Sequence, residues 1–320
     1  MNGPSLRPPA GRRTFATQMT WVSGTALVGA AVGATIVRVL SGRWQPMIPA
    51  ARSDDPAAHA VVAGPPSGRA PARPPRRDPK LDYYPESRFG DFSDIDQLVV
   101  FYTRVHALLQ PSHTVLEIGC GRGKHANERS EMRRRLKILN NACAKVIGID
   151  VDPGASDNPF IDEFHLIDPE SSWPLRDASI DLAVSDYVLE HVDNPDAFFA
   201  ECHRVLRPGG YLCLRTTNAA SYFGVVARLT PNRLHASIVQ HVYLNPRPER
   251  DVFPIRYRCN TVPKLRKMLD RHGFDHCVYG YQSDPAHFGF SRALYRLGVL
   301  HERFAPKNIR TAIFIFAQRE

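Results

Sequence analysis

The sequence predicts an α/β fold built on a doubly wound, mostly parallel sheet, and three observations lead there. From Leu81 onward, apolar runs of five to seven residues alternate with helix-period segments. A glycine-rich loop follows the first clear run directly. The composition is that of an ordinary globular chain, 320 residues with 43% hydrophobic and 23% charged, which excludes collagen-like, coiled-coil and wholly disordered classes.

Taken in order, strands are expected at 113–119 (HTVLEIG), 146–150 (VIGID), 163–167 (EFHLI), 180–186 (IDLAVSD) and 211–217 (YLCLRTT). A helix should start at Asp193-Asn194-Pro195 and place Phe198, Phe199, Cys202, Val205 and Leu206 on one side before Pro208-Gly209-Gly210 ends it. A second runs from Thr261, with Pro263 in its first turn, to Gly273. Two late strands, 276–281 (HCVYGY) and 311–317 (TAIFIFA), bring the count to seven and should pair as an antiparallel edge.

Residues 1–80 do not belong to this pattern. They hold 11 Lys and Arg against 3 acids, a net +8, which leaves 30 against 29 for residues 81–320. The tail also carries 12 of the 27 prolines. A near-neutral folded part lacks the broad basic footprint of a duplex binder, so nucleic acid is not the expected partner. Within the tail, 14–37 is an uncharged run of 24 residues, long enough to span a bilayer, and Gly29 and Gly33 would allow close helix contact. A membrane anchor, a cleaved targeting sequence and a disordered or wrongly translated extension all fit it. The six cysteines are scattered with no C-x-x-C pair, the usage of a reducing compartment, and no metal site is expected. The expected location is therefore at a membrane with the folded domain on the cytoplasmic side, with organelle targeting or the cytoplasm as alternatives.

The loop Glu117-Ile118-Gly119-Cys120-Gly121-Arg122-Gly123 lets the backbone turn sharply and approach a ligand. A dinucleotide fingerprint needs glycine three residues after Gly121, where Lys124 stands. An acid two residues before the first glycine would repel a pyrophosphate and attract a cation, so Glu117 argues for a sulfonium or amino-acid ligand. Asp150, ending the second strand, is placed to accept both ribose hydroxyls of an adenosine, with Asp152 as understudy.

These residues resemble the class I S-adenosylmethionine-dependent methyltransferases, in particular the small-molecule group that includes ubiquinone-pathway enzymes. The resemblance covers roughly 95–218 and rests on VLEIGCGRG (115–123), VIGID (146–150), WPLRDASIDLAVSDYVLEHV (173–192) and RVLRPGGYLCLRT (204–216) in that order. It implies a Rossmann-like fold and S-adenosyl-L-methionine as cofactor. It also implies that Gly119, Cys120, Gly121 and Gly123 pass the methionine part, that Glu117 holds its amino end, and that Asp150 and Val151 bind the ribose side. Asp168 would face the adenine amino group, and Ser185 and Asp186 would lie where cofactor and substrate meet. One departure concerns the 33 residues between Glu117 and Asp150, more than such proteins usually show, with the basic stretch 124–137 between them.

Methyl transfer needs a general base only where the acceptor must lose a proton. His191 and Tyr187, with Asp186, are the candidates, against scaffold roles for each. Residues 219–260 are too long for a plain connection and should cap the acceptor. There Arg233, His235, Arg256 and Arg258, with Asn232, Tyr257 and Asn260, suit an anionic or sugar-like acceptor, or else form a solvated surface. Tyr83, Tyr84, Arg88 and Phe89 are candidates for a lid. The leading reading is a methyltransferase acting on a small-molecule, lipid or glycan acceptor. A nicotinamide-dependent oxidoreductase and a non-catalytic, membrane-tethered cofactor-binding protein are the alternatives.

Overall fold

The computed structural model describes residues 78–222, 224–225, 253–289 and 291–320. The 14–37 run, Asn232, Arg233 and His235 lie outside the described residues. Seven strands form one sheet in the order β3-β2-β1-β4-β5-β7-β6. They are β1 Thr114–Ile118, β2 Lys145–Asp150, β3 Glu163–Leu166, β4 Ile180–Asp186, β5 Leu206–Thr217, β6 Phe274–Tyr281 and β7 Ala312–Arg319. β1 to β5 pair in parallel, and β7 runs antiparallel between β5 and β6. The expected fold class and antiparallel pair are borne out, with β7 inserted so that it also meets β5.

Among the described residues, the helices longer than one turn that flank the sheet are α1 Gln97–Leu108, α2 Glu131–Lys137, α3 Pro195–Val205, α4 Val262–Arg271 and α5 Arg292–Phe304. Asp96 caps α1 by accepting from Leu98 N (3.0 Å), and Asn194 caps α3 through Ala197 N (3.1 Å) with Pro195 in the first turn. Strand alternation then divides the core. Leu116, Ile118, Ala183, Leu212 and Leu214 face α3 and α4, while Val115, Leu182, Val184 and Cys213 face Phe101, Tyr102 and Val105 of α1. Among the described residues no helix is long and apolar enough to cross a membrane.

Two local expectations change. α3 ends at Val205, and Pro208-Gly209-Gly210 lies inside β5 instead of closing the helix. Proline offers no ladder N–H and Gly209 sits at φ 79°, so β5 slips against β4 between the pairs Ile180–Leu206 and Leu182–Tyr211. The long spacing after the glycine loop is taken up by a short 3-10 turn, Lys124–Asn127, and the following helix begins only at Glu131.

Candidate functional site

The glycine loop crosses the carboxyl ends of β1 and β2. Gly119, Gly121 and Gly123 have φ of 70°, 56° and 66°, the left-handed region that side chains avoid. A Cβ on Gly119 would collide with the Val188 side chain, whereas one on Gly121 would meet nothing within 4 Å. Gly121 therefore presents bare backbone to open space. Asp150 holds the loop: one carboxylate oxygen accepts from Gly121 N (2.8 Å), the other from Asp152 N (2.9 Å). Asp152 is spent on Arg122 (2.8 and 2.9 Å) and Gly154 N (2.9 Å).

A cleft of about 210 Å³ opens here, lined by residues 120–125 together with Lys137, Asp150, Asp152 and Phe253. Cys120 contributes only bulk, because burial and the nearby Asp150 charge push its thiol up to about 12. Burial and the Lys137 charge pull His125 down to about 4, and its buried Nε2 has no partner among the described residues.

Behind the cleft, strand alternation sets Glu117 of β1, Asp186 of β4 and Arg215 of β5 on the α1 side of the sheet. Asp186 and Arg215 are cross-strand partners in register, joined by two 2.7 Å bonds. Lys137 Nζ (3.2 Å) and the Tyr102 hydroxyl (3.4 Å) reach the same carboxylate. Although burial opposes it, the Arg215 and Lys137 charges hold Asp186 far below the usual carboxylate range. A carboxylate so held cannot accept a proton readily, so its geometry is that of an anchor.

Arg215 is 4% exposed and lies over the rings of Tyr187 (4.9 Å) and Phe101 (5.5 Å). Glu117 differs, because no bond to a described residue relieves its burial. Desolvation lifts it to about 7 against the pull of Lys137, with the Asp186 charge adding to the rise.

Tyr187 sits at φ 60°, a strained conformation for a bulky residue, and donates to Gln97 Oε1 (2.6 Å). Gln97 in turn donates to Ser283 Oγ (3.0 Å). His191 points Nδ1 at the Pro254 carbonyl (3.0 Å). A carbonyl only accepts, so Nδ1 is the donor and Nε2 is the ring's acceptor nitrogen. Next to it, buried Glu190 accepts from Thr216 (2.9 Å) and Thr217 (3.3 Å), and its carbonyl receives the N–H groups of Arg256 and Tyr257. This ties the 253–261 strap to the ends of β4 and β5.

The remaining candidates lie apart. Ser185 is 3% exposed at the end of β4, its hydroxyl without a partner among the described residues. Val151 is exposed, and Asp168 caps its own turn through Glu170 N and Ser171 Oγ, both 3.1 Å. Arg256 and Arg258 both pair with exposed Asp193 (3.2 and 2.7 Å) and do not line the cleft. Tyr83 packs at a tilt against Tyr295 of α5, while Phe89 stands in solvent. Sequence reasoning missed Lys137, Arg215, Gln97, His125 and Glu190. Only Arg215 left a signal, a charge inside an apolar strand, which requires a buried partner.

Residues 116–214 match the family model described as a methyltransferase domain. The chain is 31% identical over 166 residues to a probable S-adenosylmethionine-dependent methyltransferase of Mycolicibacterium smegmatis, covering 50% of this chain and 51% of that protein. It is 32% identical over 114 residues to a malonyl-[acyl-carrier protein] O-methyltransferase of Hahella chejuensis, with 34% and 38% covered. It is 24% identical over 134 residues to a ubiquinone biosynthesis O-methyltransferase of Burkholderia thailandensis, with 42% and 56% covered. The chain thus spans 38–56% of these relatives' lengths, and the residues matched by the family model include all of the cleft lining except Phe253.

Proposed function

We propose, from the match of residues 116–214 to the methyltransferase-domain family model, that the chain transfers a methyl group from S-adenosylmethionine to a small-molecule, lipid or glycan acceptor. The observation that carries the reading is the cradle. Three left-handed glycines are tied to a strand-end carboxylate, with open space at Gly121 and the half-buried Glu117 behind. The residues suit the cofactor. Backbone at 119–123 would receive the methionine part, Asp150 has lone pairs left for ribose hydroxyls, and Glu117 would answer the ammonium.

When bound, S-adenosylmethionine supplies a sulfonium-borne methyl group already activated for displacement. The protein's own part is positioning. The Asp186–Arg215 pair and the Tyr187–Gln97 bond fix the carboxyl ends of β4 and β5, so a bound acceptor meets a rigid wall. His191 Nε2 is the group we assign to take a proton from an acceptor hydroxyl or amine. Relatives named for malonyl-[acyl-carrier protein] and for ubiquinone biosynthesis support an acceptor outside nucleic acid. So does the near-neutral charge of residues 81–320. The six free cysteines support a reducing compartment.

Titration calorimetry of the full chain tests the cofactor assignment: S-adenosylhomocysteine should bind and NADH should not. Labelled methyl transfer into a fractionated extract then tests catalysis. Binding of NADH alone would overturn the cofactor assignment, and cofactor binding without transfer in any fraction would favour a non-catalytic role.

A further inference from the structure

Helix α5 turns to solvent a face that the fold does not use. At about 100° per residue its exposed side chains fall in one arc of roughly 140°. Arg292, Arg296 and Arg303 lie along one edge, and Leu300, Phe304 and Leu297 along the other. The three apolar residues are 42%, 60% and 44% exposed, and the helix's acid, Glu302, is buried. Among the described residues no carboxylate pairs with any of the three arginines. A cationic edge beside an apolar edge, with no exposed acid between them, is the pattern of a helix that lies in a lipid interface.

A second observation points the same way. The described chain enters beside α5, where Tyr83 packs on Tyr295 (5.7 Å) and Lys80 meets Asp284 (3.6 Å). The 77 residues before Asp78 hold 10 Lys and Arg against 2 acids and include the uncharged run 14–37. Basic sequence therefore joins the domain next to its basic, apolar helix. We propose that the exposed face of α5 docks on the surface of an anionic lipid bilayer. Its leucines and phenylalanine enter the acyl boundary and its arginines meet headgroup phosphates. The proposal rests on none of the assignments made in the cleft.

Full-length protein is mixed with phosphatidylcholine vesicles, with or without phosphatidylglycerol. The tail can bring the chain to vesicles by itself, so the probe belongs on the helix: Phe304→Trp, read against the wild-type chain with its Trp21, Trp44 and Trp173. The added tryptophan should shift to the blue with phosphatidylglycerol vesicles and be quenched by lipid brominated high in the acyl chain. Replacing Arg292, Arg296 and Arg303 with Gln in that variant should raise the half-saturating lipid concentration roughly a hundredfold, since each arginine near the surface adds roughly fivefold.

Sedimentation with vesicles while the added tryptophan stays unshifted would overturn the proposal. So would equal quenching on phosphatidylcholine alone. A blue shift without lipid would replace it, by a second copy of the chain if the shift grows with protein concentration and by the chain's own uncharged run if it does not.

Discussion

Glu117 should make cofactor affinity depend on pH, and the direction follows from its surroundings. Burial, the largest cause, lifts its carboxyl from 4.5 to about 7, against the pull of Lys137. If the ionised form receives the ligand's ammonium, then at pH 6 only about one molecule in eleven is ready to bind. S-adenosylhomocysteine should thus bind about tenfold more weakly at pH 6 than at pH 8, with most of the change centred on pH 7.

Stability runs the other way. The folded carboxyl keeps its proton above the pH at which the unfolded one loses it, so the folded state is favoured at acid pH and loses stability between about 4.5 and 7. At roughly 1.4 kcal/mol per pH unit, Glu117→Gln should stabilise the protein at pH 8 by up to about 3 kcal/mol. The same variant should weaken the ligand and remove the pH step. Calorimetry at pH 6 in two buffers of different ionisation enthalpy should show release of nearly one proton on binding, and none at pH 8.5. Wild-type affinity that is flat from pH 6 to 8, or a step that persists in Glu117→Gln, would refute the reasoning.

Asp150→Ala should cost at least about 1.5 kcal/mol of S-adenosylhomocysteine affinity, because the ribose acceptor and the tie to Gly121 are lost together; unchanged calorimetric affinity would remove it from that role. Arg215→Met should destabilise the fold by about 3–5 kcal/mol in urea unfolding by stranding the buried Asp186 charge, and a loss under 1 kcal/mol would mean that Lys137 suffices. His191→Asn keeps a donor for the Pro254 carbonyl but has no basic nitrogen. It should lower the transfer rate about 100-fold with cofactor affinity unchanged, a split to be read by single-turnover kinetics. Because Arg256 and Arg258 are exposed on Asp193, replacing both with Ala should leave the urea midpoint unchanged within error and S-adenosylhomocysteine affinity within about twofold. Loss of cofactor binding in that double variant would show that the strap shapes the cleft.

Local chemistry was enough to read much of this protein. The strands, the capped helix at Asn194-Pro195 and the glycine loop each declare themselves through period, cap residue or backbone freedom, because neighbours in sequence decide them. Glu117 and Asp150 were legible as site residues for the same reason: each stands at the carboxyl end of a strand whose period is plain. What they bond to was not. That Asp150 spends lone pairs on Gly121 and Asp152, and that Asp186 is locked to Arg215 and Lys137 instead of standing free as a base, depends on which strands become neighbours. Sheet order is a long-range choice that no local pattern encodes. The same holds for Lys137, which reads as one more charge in a basic stretch until the helix from Glu131 to Lys137 swings it over β4. It holds too for α5, whose amphipathic period is visible in the sequence. Only the packed structure decides which face is covered and leaves Leu297, Leu300 and Phe304 in solvent, because burial is a property of what lies opposite.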